Sequence, residues 1–189
     1  MMINTLLTRV PPDQLGEWRG AYDTLQGLTG DATFVEVFAQ APELLQFVMG
    51  QFYMPLFFGG RVEQRYKQLA RLKLSLEHGC LTCNKQNVPG ALAAGITQAQ
   101  VDAMDAYEAG PFTEAEKAVI AYADQVKMTN HQGQLTPELL ARLRAHFSEP
   151  EILELGVVMA VISGMAKLSF VLELVEREPT CPFNPDVAA

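Results

Sequence analysis

Cysteine is scarce: the chain of 189 residues has three. That is too few for a disulfide framework, and a hydrophobic content of 49% can fill a core without one. Positive charge is also thin. Lys and Arg number 14 against 22 Asp and Glu, for a net charge of −8. No basic cluster interrupts that acidity, which argues against electrostatic capture of nucleic acid. The start, Met1-Met2-Ile3-Asn4-Thr5-Leu6-Leu7 and then Arg9 and Pro11-Pro12, has no basic lead-in and only a short apolar stretch. It does not read as a secretory signal, so residues 1–12 are expected to form an arm and the protein to be cytoplasmic. No run alternates with period two for long enough to make a sheet. No low-complexity linker divides the chain.

What is present is helical period. Ala115, Ala118, Val119, Tyr122, Ala123 and Val126 make one buried stripe. Thr113 with Glu116 reads as a capping box, and Asn130 as a stop. Thr136-Pro137-Glu138 and Ser148 with Pro150 and Glu151 each open a further helix. Helices are predicted at about 13–27, 31–40, 42–58, 61–78, 80–94, 97–107, 113–129, 136–147 and 149–176, punctuated by Gly59-Gly60, Gly95 and Gly110-Pro111. The reading is an all-α domain over 13–176, followed by a proline-rich tail over 177–189 that packs as an extended arm or frays. Leu155 to Val175 is long and apolar enough to pass for a membrane span. Lys167 falls at its middle, where a charge is costly, Glu173 lies inside its end and no second span accompanies it. A core or subunit-interface helix is therefore expected, with Lys167 in an ion pair to a nearby carboxylate.

Two of the cysteines are spaced C-x-x-C, as Cys80-Leu81-Thr82-Cys83. Gly79 ends the preceding helix, so the pair sits at the start of the next one. Unpaired N–H groups and the positive dipole end stabilise a thiolate there, and the thiolate is the reactive species. The spacing also lets the sulfurs reach each other for a disulfide. Redox chemistry is the first reading. Two buried cysteines acting as small hydrophobes is the second. A metal site is the third: His78 could join Cys80 and Cys83, with Cys181 as a fourth ligand if the tail folds back. The aromatic group Phe52, Tyr53, Phe57 and Phe58 reads as core or oligomer packing before it reads as a pocket wall.

Several stretches resemble the carboxymuconolactone decarboxylase family: Gln68-Leu69, the Cys80–Cys83 tetrapeptide, Ala91 through Gly95-Ile96-Thr97, Phe112-Thr113-Glu114-Ala115-Glu116, and Phe147-Ser148-Glu149-Pro150-Glu151-Ile152. Within the family they are most similar to the AhpD-type alkylhydroperoxidases, over about residues 35 to 176. The resemblance implies an AhpD-like fold of about nine helices that assembles as a homo-oligomer, a trimer or hexamer, and needs no cofactor. It implies that Cys83 attacks a peroxide or organic hydroperoxide, that Cys80 resolves it, and that an external dithiol returns the electrons. The family's proton relay has a glutamate twelve residues before the first cysteine and a histidine four after the second. Here those positions hold Gln68 and Asn87, amides that cannot shuttle a proton near neutral pH. Losing such a relay costs roughly a hundredfold to ten-thousandfold in rate. Glu77 and His78 are the substitute candidates, His78 the better because its ordinary pKa lies near neutrality; a polar helix-end residue bonding local carbonyls is its alternative, and Glu77 reads rather as a solvated or ion-paired surface acid. Two rival functions stay open: decarboxylation of a lactone acid, and a non-enzymatic redox-sensing or scaffold protein.

Overall fold

In the computed structural model Ile3 and residues 5–184 are described; the parts of the expected arm and tail at Met1, Met2, Asn4 and 185–189 lie outside the described residues. The caps show why the chain turns helical where it does. Thr113 Oγ1 accepts the N–H of Glu116 while the Glu116 carboxylate accepts that of Thr113. Thr97 and Gln100 make the same exchange, and the Glu151 carboxylate takes both the N–H and the hydroxyl of Ser148. Thr136 caps through the N–H of Leu139.

Nine α-helices form among the described residues: α1 (Arg19–Thr29), α2 (Thr33–Phe38), α3 (Pro42–Gln46), α4 (Gln64–Glu77), α5 (Leu81–Ala93), α6 (Gln98–Asp102), α7 (Glu114–Val126), α8 (Pro137–Arg144) and α9 (Glu149–Val171). No strand forms among them; an isolated antiparallel bridge joins Cys80 to Arg177. The fold is all-α, as the periodicity predicts. Helix α4 is its axis, packed against α5, α7 and α9 and buried from Lys67 through Ser75. One side of α4 joins α7, α8 and α9 in a core that includes Leu74, Val119, Leu143, Leu155 and Met159. The other joins α5 and the α6 region through Leu69, Leu72, Ala91, Ile96 and Met104.

Departures from the predicted boundaries have tertiary causes. The first predicted helix breaks into two short 3₁₀ turns before α1, the second opening on Gly16 in a left-handed conformation. The predicted helix at 42–58 continues from α3 as a π-helix, Phe47–Phe57, which carries Pro55 inside it. Helix α4 begins at Gln64 because the N–H groups of Arg61 and Val62 are drawn to the buried carboxylate of Glu154, which also pairs with fully buried Lys67 at 2.6 Å. Helix α9 stops at Val171, and Glu173 takes a left-handed conformation that turns the chain back across α5. By length and composition α9 could cross a membrane, yet Ile152, Leu155, Val158, Met159 and Ile162 bury its inner face in the core. The expected ion pair of Lys167 is absent among the described residues. The residue is exposed, with its ammonium 5.4 Å from the ring of Phe183; on the outer face it has no desolvation to offset.

Candidate functional site

Helix α4 ends at Glu77, and Gly79 at φ +63° reverses the chain into an extended Cys80. A side chain at Gly79 would put its Cβ 2.6 Å from the Cα of Cys181, so bare backbone is needed for the tail to lie there. The tail holds its place through main-chain contacts: the N–H of Glu178 donates to the Gly79 carbonyl at 2.8 Å, and the N–H of Glu176 donates to Thr82 Oγ1 at 2.9 Å. The segment expected to pack or fray thus packs, as far as Asn184. Cys181 is buried beside Cys80 and Phe170, a free thiol donating to the His78 carbonyl at 3.1 Å.

Cys80 is the N-cap of α5, and its sulfur accepts the N–H of Cys83 at 3.2 Å. The two are joined as a disulfide with Cα atoms 5.1 Å apart. Their surroundings differ. Cys80 is fully buried, whereas Cys83 is partly exposed. Both line a cavity of about 420 Å³ whose other walls come from α1, α2, the α3–π segment, α4 and α9. Most of that lining is apolar, including Leu25, Leu28, Phe34, Val48, Met49 and Ile162.

His78 and Asn87 reach the same cavity, both buried. The Nε2 of His78 accepts the N–H of Met128 at 3.1 Å, so a neutral ring carries its proton on Nδ1, which has no partner among the described residues. Burial lowers its pKa to about 4, with Glu77 pulling weakly the other way. Of the two readings of Glu77 the ion-paired one holds: it pairs with Lys73 and Lys127. Burial opposes its charge, but those two partners outweigh it and hold the carboxyl below the usual range. Gln68 is also buried but does not line the cavity: its Oε1 accepts a hydrogen bond from Arg71 Nη2 at 2.6 Å. Among the described residues no group of three His, Cys, Asp or Glu is placed to hold a metal ion.

Arg71 was not singled out by the sequence pattern, although a signal exists. Gln68, Arg71, Ser75 and His78 fall at helical spacing on one side of α4, a polar stripe in an otherwise leucine-rich segment. Three of the four, Arg71, Ser75 and His78, line the cavity. Of the aromatic group, Phe52 and Phe57 are core residues, while Tyr53 and Phe58 are cavity walls.

Comparison with known proteins adds the following. The model of the carboxymuconolactone decarboxylase family matches residues 42–125, a span that holds α4, the cysteine pair and most of α7. No curated protein matches by sequence. Among solved structures, a protein of unknown function from Agrobacterium tumefaciens, provisionally described as an antioxidant defence protein AhpD, is 24% identical with a TM-score of 0.63, covering 76% of this chain and 95% of its own. A cysteine-to-alanine variant of the debrominase Bmp8, in complex with 2,3,4-tribromopyrrole, is 17% identical with a TM-score of 0.73 and covers 95% of both chains. A peroxidase-related protein with an alkylhydroperoxidase AhpD core, from Ralstonia eutropha JMP134, is 13% identical with a TM-score of 0.68 and covers 93% of this chain and 95% of its own. Identities this low speak to the shared fold, which is that of AhpD-like proteins, and over residues 42–125 the chain is similar to the carboxymuconolactone decarboxylase family.

Proposed function

We propose that the protein is a thiol-dependent oxidoreductase that reduces peroxide or organic hydroperoxides through a Cys80–Cys83 dithiol/disulfide cycle. The observation that carries this reading is the asymmetry of the pair at the cavity wall. Cys83 is the sulfur open to a substrate, and Cys80 is buried behind it within bonding reach. The Cys83 thiolate attacks one peroxide oxygen, the O–O bond breaks, and the alkoxide leaves to take a proton. Cys80 then displaces hydroxide from the Cys83 sulfenic acid, closing the disulfide before further oxidation. An external dithiol attacks the accessible Cys83 sulfur, and Cys80 departs as a thiolate stabilised by the N–H of Cys83 and the start of α5. The balance is one hydroperoxide and one dithiol converted to alcohol, water and disulfide. Such a cycle needs a reducing compartment, in keeping with a cytoplasmic setting.

His78 in this scheme is a hydrogen-bond donor through Nδ1–H rather than a base. A ring with a pKa of about 4 is a weak proton acceptor at neutral pH, and Gln68 and Asn87 supply no acid–base replacement. The chemistry is accordingly slow. A second reading uses the same two electrons for reductive dehalogenation: the Cys83 thiolate takes the halogen, the carbon keeps the bonding pair and picks up a proton, and Cys80 displaces halide from the sulfenyl halide to close the disulfide. The fold shared with the debrominase across 95% of the chain favours it. Assembly as a homo-oligomer, trimer or hexamer, completes the proposal, with the outer face of α9 as the contact.

The test is consumption of cumene hydroperoxide, and of a bromopyrrole in parallel, with dithiothreitol as reductant. Wild type is expected to turn over, Cys83→Ser to fall to background, and Cys80→Ser, oxidised with the hydroperoxide in the absence of dithiothreitol, to consume one equivalent and stop at the sulfenic acid. Equal rates for wild type and Cys83→Ser, or no rate above background with either substrate, would overturn it.

A further inference from the structure

Among the described residues Arg71 is a cation with no counter-charge. It is 6% exposed, and among the described residues no Asp or Glu forms an ion pair with it. Its one side-chain hydrogen bond goes to the neutral amide of Gln68, and its Nε is buried without an acceptor. The guanidinium lies 4.5 Å from the centre of the Phe57 ring, and Gly90 clears room for it, since a Cβ there would come within 2.7 Å of Nη2. A charge removed from water is costly unless it is paired, and the described residues supply no counter-charge. Arg71 is also the one permanently charged residue among those lining the cavity, whose remaining wall is mainly hydrocarbon.

We infer that Arg71 is the anion anchor of the cavity, and that the substrate is an organic acid: an apolar body with a single carboxylate that pairs with Arg71 while its reactive end meets Cys83. The planar fork of a guanidinium suits a carboxylate, and about 420 Å³ is the scale of a small-molecule site. An apolar wall with one charged group orients a ligand end to end. As a statement of substrate class this rests on the dithiol reading, and it narrows that reading to hydroperoxides, or halogenated molecules, that carry an acid group. A lactone acid would use the same anchor, so dependence of turnover on Cys83, and not binding, separates the decarboxylase reading.

The experiment is calorimetric titration of the full-length oxidised protein, its disulfide closed, with phenylbutyrate and with the matching alcohol phenylbutanol. Wild type is expected to prefer the acid by about tenfold or more. Arg71→Met should abolish that preference while keeping the alcohol affinity within about twofold, and Arg71→Lys should retain part of it. A purely structural role for Arg71 would weaken acid and alcohol alike. Equal binding of the two ligands by wild type, or a preference that survives in Arg71→Met, would overturn the anchor. If Arg71→Met does not fold, the wild-type comparison and Arg71→Lys still decide. No turnover is needed for this reading, so an inert Cys83 would remove the dithiol cycle and leave the anchor, and a missing acid preference would do the reverse.

Discussion

His78 shows what burial does to a single side chain. Its ring stays neutral in the folded chain because charging it would strand a cation between α4 and the tail; an unfolded chain has no such objection. With the folded pKa lowered from 6.5 to about 4, the unfolded state binds more protons between those values. Stability is therefore full above pH 6.5 and declines as the pH falls toward 4, by about 3 kcal/mol at most. His78→Gln keeps an acceptor for the Met128 N–H and removes the titration. Melting temperatures from pH 7 to 4.5 should drop more steeply for wild type than for this variant; parallel slopes would refute the assignment. At this scale the sequence made Cys80 and Cys83 plain, because spacing and a helix start are local features. It hid the partners. That Cys80 is buried and Cys83 open, that Met128 occupies His78, and that Gln68 turns to Arg71 are facts of packing between segments distant in the chain.

At the scale of elements, caps were legible and ends were not. Thr113, Thr136 and Ser148 cap as their sequence signatures predict, since a cap needs only three or four neighbouring residues. Thr97-x-x-Gln100 carries the same signature and caps α6. The ends of α4 and α9 depend on Glu154 capturing two remote N–H groups and on the tail's return across α5, and neither can be read from a periodicity. Helix packing also gives the anchor a test that leaves Arg71 in place. Gly90 lies within α5, where alanine is the better helix former by about 1 kcal/mol. Its added methyl would press on the Arg71 guanidinium, the far end of a flexible side chain that can move aside. Gly90→Ala should therefore melt within a few degrees of wild type while losing most of its preference for phenylbutyrate over phenylbutanol. An unchanged preference would mean that the seat of the guanidinium does not govern binding.

At the scale of the molecule, α9 has two faces, and the fold uses one. The inner face fills the core, and Met165 and Ala166 help to line the cavity. On the outer side Leu153, Val157, Ala160, Gly164, Leu168 and Val171 recur at helical spacing and are all exposed, Leu153 at 69% and Val171 at 65%. A stripe of this length and polarity suits burial against another subunit, and its small residues at Ala160 and Gly164 allow close approach. A second copy of the chain is the proposed occupant. Leu153→Asp adds a charge where nothing in the protomer is packed, so the folded monomer should lose no more than about 0.5 kcal/mol. In the assembled protein that charge would be buried against apolar side chains of the neighbouring copy, without a counter-charge. Light scattering after gel filtration should show an oligomer for wild type and a smaller species for Leu153→Asp, with unchanged helicity by circular dichroism. A monomeric wild type at micromolar concentration would remove the proposed interface and leave the stripe without a function.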